Sequence, residues 1–426
     1  MKTRSILLLS TLLAVAPVMS QEPPQQPRPD RKGETRERPP RRETVAQKYS
    51  IEQAVSDRAQ LHTIAFSGLA FITGDFGAST FIPPGKVCDY FGFQYMRDID
   101  AAQKGHNPMF LNRVAGNVFH VLDDKQEALF SALAEEQAPQ LEELAKLRLP
   151  MIKAFWLHLG GKAGLSKEAT VRHTAKIFEK DMELSIRRAE VMAQVHNSLD
   201  AGQKDYFAKM KFGDFNTWPE MDERDKLKRG GKGKSKLFNV ANMTYASEYF
   251  SWTAGNIGAD TYFCPERHGT YFGGFYMKDM PAMGKRDFDI STAVTGDSGE
   301  AFVEKVLTEE QRRHILAILD KQKSALQETI KVRREISTEL RKLLTGGEPN
   351  KAKLMTLGRR YGEFDGEMSW YYATAFAAVN QTLTADQRAA LVKLRNLDGY
   401  ASAPYYIYSQ AMKDEPDLAG VETFFK

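Results

Sequence analysis

Downstream of Thr308, apolar residues recur at steps of three and four. They are Leu316, Ile318, Leu319, Ala325, Leu326, Ile330, Ile336, Leu340, Leu343 and Leu344, with charged residues between them as far as Gly346-Gly347. A period near 3.6 sustained over that length predicts an amphipathic helix of about 37 residues, about 55 Å long. The stretch from Asp123 to His158 carries a matching pattern. It contains Pro139, where a kink is expected because proline has no N–H to donate. Returning helices are predicted at roughly 166–198 and 350–382, each followed by a shorter helix. Strand-like alternation is scarce. The predicted fold class is all-α, with two tandem units, each a long helical hairpin with flanking shorter helices and a Gly/aromatic loop.

Four helix starts share one signature. Leu122–Gln126, Leu199–Gln203, Leu307–Gln311 and Leu383–Gln387 all read Leu-[Thr/Asp]-x-x-Gln, spaced 77 residues apart in the first pair and 76 in the second. Asp or Thr at the N-cap accepts from the backbone N–H three residues on, and Gln there reaches back to the N-cap N–H. Alone the pattern is common; four copies in register point to repetition.

A longer repeat contains them. Residues 77–98 (GASTFIPPGKVCDYFGFQYMRD) and 258–279 (GADTYFCPERHGTYFGGFYMKD) are identical at ten of 22 positions, ungapped at an offset of 181. The chain is a tandem duplication. Its expected organisation is a signal peptide over 1–20, a Pro/Arg-rich tether over 21–47, a first helical unit over 48–213, a Gly/Lys linker over 214–240 and a second unit over 241–426. Lys2 and Arg4 ahead of an apolar run ending at Val18-Met19-Ser20 carry the export expectation, periplasmic or secreted. The tether interleaves seven Lys/Arg with five Asp/Glu and has nothing to bury.

The net charge of +4 falls to about +2 once Lys2 and Arg4 are removed, which is too balanced to point to a nucleic-acid partner. No further stretch has the length and apolarity of a transmembrane segment.

The paired Leu-Thr-x-x-Gln starts, Leu307–Gln311 followed by Arg312 and Ile315 and Leu383–Gln387 followed by Arg388 and Leu391, resemble the Spy/CpxP family of periplasmic helical hairpins. That resemblance implies an ATP-independent chaperone or envelope-stress accessory holding unfolded or apolar protein segments, with an envelope sensor protein as a further partner. A family unit works as a dimer of hairpins, so this chain looks like such a dimer fused end to end. Asp123 and Asp200 replace the family's Thr while keeping the capping chemistry.

The Gly/aromatic segments lie outside the resemblance. Tyr90, Tyr95, Asp98, Tyr271, Tyr276 and Asp279 would wall a ligand or client pocket, or else anchor a structural loop. Cys264, His268, Met277, Met280 and Met283 are soft donors of the kind that select copper, which gives a metal-binding or sensing alternative. Cys88 and Cys264, the only cysteines, are disulfide candidates in an exported chain. A structural envelope component is the third alternative. On the returning helices, Glu179, Asp181 and Glu183 recur as Glu363, Asp365 and Glu367, and Arg148 and Arg333 are placed to pair with them across each hairpin. No nucleophilic triad, phosphate loop or dinucleotide fingerprint occurs, so no enzyme activity is expected.

Overall fold

The computed structural model describes residues 55–79, 91, 109–210, 236–254, 298–395, 406–407, 410–411 and 417–426. All of them belong to the unit Val45–Lys426. The first half contributes α1 (Asp57–Thr73), the short α2 (Phe76–Ser79), α3 (Met109–Val121), α4 (Asp124–Leu159), α5 (Lys167–Ser198) and α6 (Ala201–Lys209). The second contributes α7 (Lys236–Ala254), α8 (Ser298–Ala301) continuing as a π-turn to Val306, α9 (Glu309–Arg341), α10 (Lys351–Thr382) and α11 (Ala385–Arg395). The fold is all-α. Among the described residues, extended pairing is confined to Tyr406-Ile407 against Gln410-Ala411 and a lone bridge between Leu165 and Phe425.

The expected long helices form with the expected ends. Asp123, Asp200 and Thr308 each make both halves of the capping box, and Thr384 does the same with Gln387. Ser166 and Asn350 cap the two returning helices at equivalent positions. α4 runs through Pro139 and Pro150 as one 36-residue helix. α9 ends in a 3₁₀ turn, Lys342–Thr345, stopped by Gly346 in the left-handed conformation at φ 77°. α7 begins at Lys236, inside the stretch expected to be linker.

α5 and α10 lie at the centre, antiparallel and buried over more than one face. Their contact is a row of side chains against a row of glycines. A Cβ on Gly358 would sit 2.7 Å from Met182, one on Gly362 would sit 2.7 to 2.8 Å from Thr174, Ala175 and Phe178, and one on Gly366 2.8 Å from Val171. Thr174, Phe178 and Met182 thus meet Gly366, Gly362 and Gly358, four residues apart on each helix. Glycine inside a helix costs about 1 kcal/mol relative to alanine. Three of them persist here because the facing backbone and side chains already occupy the space. The rows also show the symmetry of the duplication: a shift of 184 residues turns Phe178 into Gly362 and exchanges the outer pairs with each other. A twofold axis relating the two returning helices would pass between Phe178 and Gly362.

The first helix of each half packs on the other half. α1 lies on α8, α9 and α10, whereas α7 lies on α3 and α4. Both helices are apolar around most of their circumference, the mark of a helix enclosed on several sides. The C-terminal residues close the assembly. Ser166 N–H donates to the Phe424 carbonyl at 2.8 Å and Lys426 N–H to Gly164 at 2.9 Å, so the end of the chain is clasped to the α4–α5 turn.

Adding one methyl at the axis should cost more than alanine's better helix propensity returns. Gly362→Ala is expected to destabilise by about 1–2 kcal/mol. Gly160→Ala has φ −74° and only ordinary contacts at 3.5 Å, and should stay within about 0.5 kcal/mol. Urea unfolding midpoints compare the two; equal midpoints would remove the glycine row as a packing constraint.

Candidate functional site

Each long hairpin carries a helix-shaped groove, and each groove is occupied by a helix from the other half. The motif glutamines hold the groove ends together. Gln126 and Gln203 face each other, with Nε2 of each donating to Oε1 of the other at 3.2 and 2.7 Å. Gln311 and Gln387 repeat the pairing at 3.2 and 2.7 Å. Each Oε1 also accepts its own N-cap N–H. Spare donors reach Val121 and Ser198 in the first half, and Val306 and Thr382 in the second. One side chain thus caps its own helix and ties it to a neighbouring start, which explains why the two motifs keep a fixed spacing.

Inside the grooves, a buried glutamine at equivalent places on the outgoing helices contacts the visiting helix. Tyr245 of α7 donates its hydroxyl to Gln137 Oε1 at 2.8 Å. Gln322 Nε2 donates to Gln60 Oε1 of α1 at 2.9 Å. The aromatic contacts then differ. In the first groove Tyr249 meets the rings of Phe130 and Phe207 at 5.7 and 5.8 Å. In the second, Gly68 lies against Phe376 and Phe302, and a Cβ on it would sit only 2.8 and 3.2 Å from those rings.

Charge is buried in both hairpins. Arg148, Arg188 and Arg333 are fully enclosed, as are Asp181 and Asp365. Arg188 lies 3.7 Å from Glu248 of α7 and over the Tyr245 ring. Burial, more than the surrounding charges, pushes the Tyr245 phenol well above its ordinary range. Arg333 donates to the Tyr361 hydroxyl at 2.7 Å. Of the carboxylates expected to pair with Arg148 and Arg333, the aspartates are enclosed as the arginines are, and the glutamates are not. Those glutamates lie on the opposite face of their helices from Asp181 and Asp365 and meet surface cations. Glu183 approaches Lys180, Glu179 approaches Arg359, Glu363 takes Arg360, and Glu367 takes Lys167 at 2.7 Å. Glu179, Glu363 and Glu367 line, with Lys167 and Arg359, an open groove of about 680 Å³ between α5 and α10 with no excess of either sign.

An aromatic cage sits where the halves meet. Phe91, one of the residues kept in both Gly/aromatic segments, is fully buried among Phe71, Phe155, Tyr372 and Phe376 at ring distances of 4.9 to 5.8 Å. Tyr90, Tyr95, Asp98, Tyr271, Tyr276, Asp279, Cys88, Cys264, His268, Met277, Met280 and Met283 lie outside the described residues. Among the described residues, no group of three or more His, Cys, Asp or Glu side chains is placed to hold a metal ion. No described helix is long and apolar enough to cross a membrane. Neither a family model, nor a curated protein, nor a solved structure matches this chain.

Two predictions follow from this geometry. Gln126→Leu removes a cap and strands the Gln203 amide, so a loss of about 1–3 kcal/mol is expected. The Gln126→Leu, Gln203→Leu double variant should lose less than the two singles added, because the pair acts as one unit; additive losses in a double-mutant cycle would refute the coupling. The second concerns acid. Burial holds His173 and His196 below the ordinary histidine range. The unfolded chain therefore binds protons first as pH drops. Stability should be full above about pH 6.5 and decline as pH falls from there toward 5. His173, whose Nε2 meets the Leu147 carbonyl at 2.7 Å and whose ring meets Phe424, should carry part of that slope. Urea midpoints of His173→Gln from pH 7.5 to 5 should vary less steeply than those of the parent chain.

Proposed function

We propose that this protein is an exported, non-catalytic, ATP-independent holder of apolar protein segments, with its long hairpins as the holding surfaces. The observation that carries this reading is the exchange of α1 and α7. Each hairpin already accommodates an apolar helix that does not belong to it, fixed by one buried amide contact and a set of ring contacts. A client segment would take the place of the resident helix.

The surface is consistent with an occupied resting state. Among the described residues, Val392 is the one large apolar side chain left mainly exposed. Client binding would then be governed by how readily a resident helix leaves. Its driving force is burial of apolar area, at about 25 cal/mol per Å², offset by the cost of releasing the resident. No nucleotide is needed in such an exchange. The resemblance of the capped starts to the Spy/CpxP hairpins points the same way, and so does the expected export signal.

Suppression of aggregation of an unfolding model protein, at stoichiometric ratio and without ATP, tests the proposal. The parent chain should suppress it. Gln60→Ala deletes the contact between α1 and Gln322, worth about 1 kcal/mol, which raises the open population about fivefold. That variant should therefore act at a lower ratio. No suppression by either chain, with both folded by circular dichroism, would rule the role out.

A further inference from the structure

We propose that the second groove, formed by the π-turn after α8 with α9, α10 and α11, is a register-specific receptor. It would select an apolar helix that bears an amide at one position and a glycine eight residues later. This rests on the holding role above for its biological use, and names the class of segment that this groove takes.

The two grooves are not copies in their walls. Positions equivalent under the duplication are Phe130 and Ile315, Phe207 and Leu391, Asn117 and Phe302, and Met192 and Phe376. In the first groove Tyr249 is met by the rings of Phe130 and Phe207, and Asn117 and Met192 stand at the positions that are phenylalanine in the second. In the second, Phe302 and Phe376 close on Gly68, the residue that matches Tyr249 at the 181-residue offset, and Ile315 and Leu391 stand at the positions of the first groove's rings. Any side chain at that point meets Phe376 at 2.8 Å. Eight residues earlier, about 12 Å along the helix, Gln60 meets Gln322 with both side chains buried. A glycine requirement and a buried amide at a set separation fix both the register and the direction of the occupant. Apolar surface alone specifies neither.

The resident α1 meets this code incompletely. Among the described residues, buried Gln322 Oε1 and Ser67 Oγ find no hydrogen-bond partner. A buried unsatisfied polar atom costs about 1–3 kcal/mol. A helix offering a donor to Gln322 Oε1, with alanine at the Ser67 position, would sit better than α1 does. The resident is therefore displaceable by a segment of its own pattern.

The test titrates full-length protein into a fluorescein-labelled peptide of residues 55–75, bearing a solubilising lysine tail, and follows anisotropy. The same titration is made with Gly68→Leu and Gln60→Leu peptides and with Gln322→Leu protein. The parent peptide should bind, and the Gly68→Leu peptide at least tenfold more weakly. The sign of that change is decisive, because leucine adds apolar surface and unspecific holding would strengthen binding. Gln60→Leu peptide and Gln322→Leu protein should each weaken it several-fold, and should not add when combined. Equal or tighter binding of the Gly68→Leu peptide overturns the register code while leaving the holding role intact. No peptide uptake by a chain that still suppresses aggregation does the same. Selective uptake by a chain that suppresses no aggregation upholds the receptor and removes the holding role. A doubling of mass without peptide uptake would overturn the proposal in favour of helix exchange between copies.

Discussion

The packing of Thr174, Phe178 and Met182 into the row Gly358, Gly362 and Gly366 sets the position of everything else. It brings the two returning helices close enough for backbone to touch side chain, and closeness of that kind leaves little freedom in angle or register. With α5 and α10 fixed, the outgoing helices α4 and α9 follow through their hairpin turns. The grooves then open on either side of the pair. Capping boxes and hydrophobic stripes decide that the helices form. The glycine row decides how they meet.

The exchange of α1 and α7 is the second layer of the same logic. A hairpin of two long amphipathic helices has an inner stripe that neither helix can cover alone. In this chain the stripe is covered by a helix from the opposite half, so each half depends on the other for burial. The amide contacts Gln137–Tyr245 and Gln322–Gln60 give that burial a register, since a slipped helix would leave a buried amide unpaired. The paired motif glutamines perform a related task at the helix starts, where free backbone N–H groups would otherwise face the core.

Much of the scaffold was legible in the residues. The repeated Leu-[Thr/Asp]-x-x-Gln signature located four helix starts, and the periodicity between Thr308 and Gly346 located a helix and its stop, because capping and amphipathicity are local properties. The glutamine pairs were half legible: the spacing marked them as related, but that each amide serves two helix starts emerges only once both starts are adjacent in space. The roles of Gly358, Gly362 and Gly366 were not legible at all. A glycine every fourth residue reads as a weakness in a helix until the partner helix is known. The exchange was equally hidden, since nothing in the local pattern of α1 or α7 says which hairpin covers it. The Arg148 and Arg333 expectation was legible in part, because the enclosed carboxylates of the pattern are Asp181 and Asp365 alone. Glu and Asp alternate by two residues, so they point to opposite faces, and the glutamates turn outward. The Gly/aromatic candidates all lie outside the described residues, and only their neighbour Phe91 is seen to anchor the cage.

The axis between Phe178 and Gly362 has a consequence for how such a chain could arise and persist. In a pair of identical subunits, the residue on a twofold axis meets itself. Two copies of the first half would set Phe178 against Phe178, and two copies of the second would set glycine against glycine around a void. Neither half is self-complementary any longer. Joined in one chain, the two halves need not match themselves, and one can present a bulky face where the other is bare. The same divergence reached the grooves, one shaped for a tyrosine and the other for a glycine. The two halves present two surfaces that recognise each other, and a symmetric pair of either one would meet a collision or a cavity at its centre.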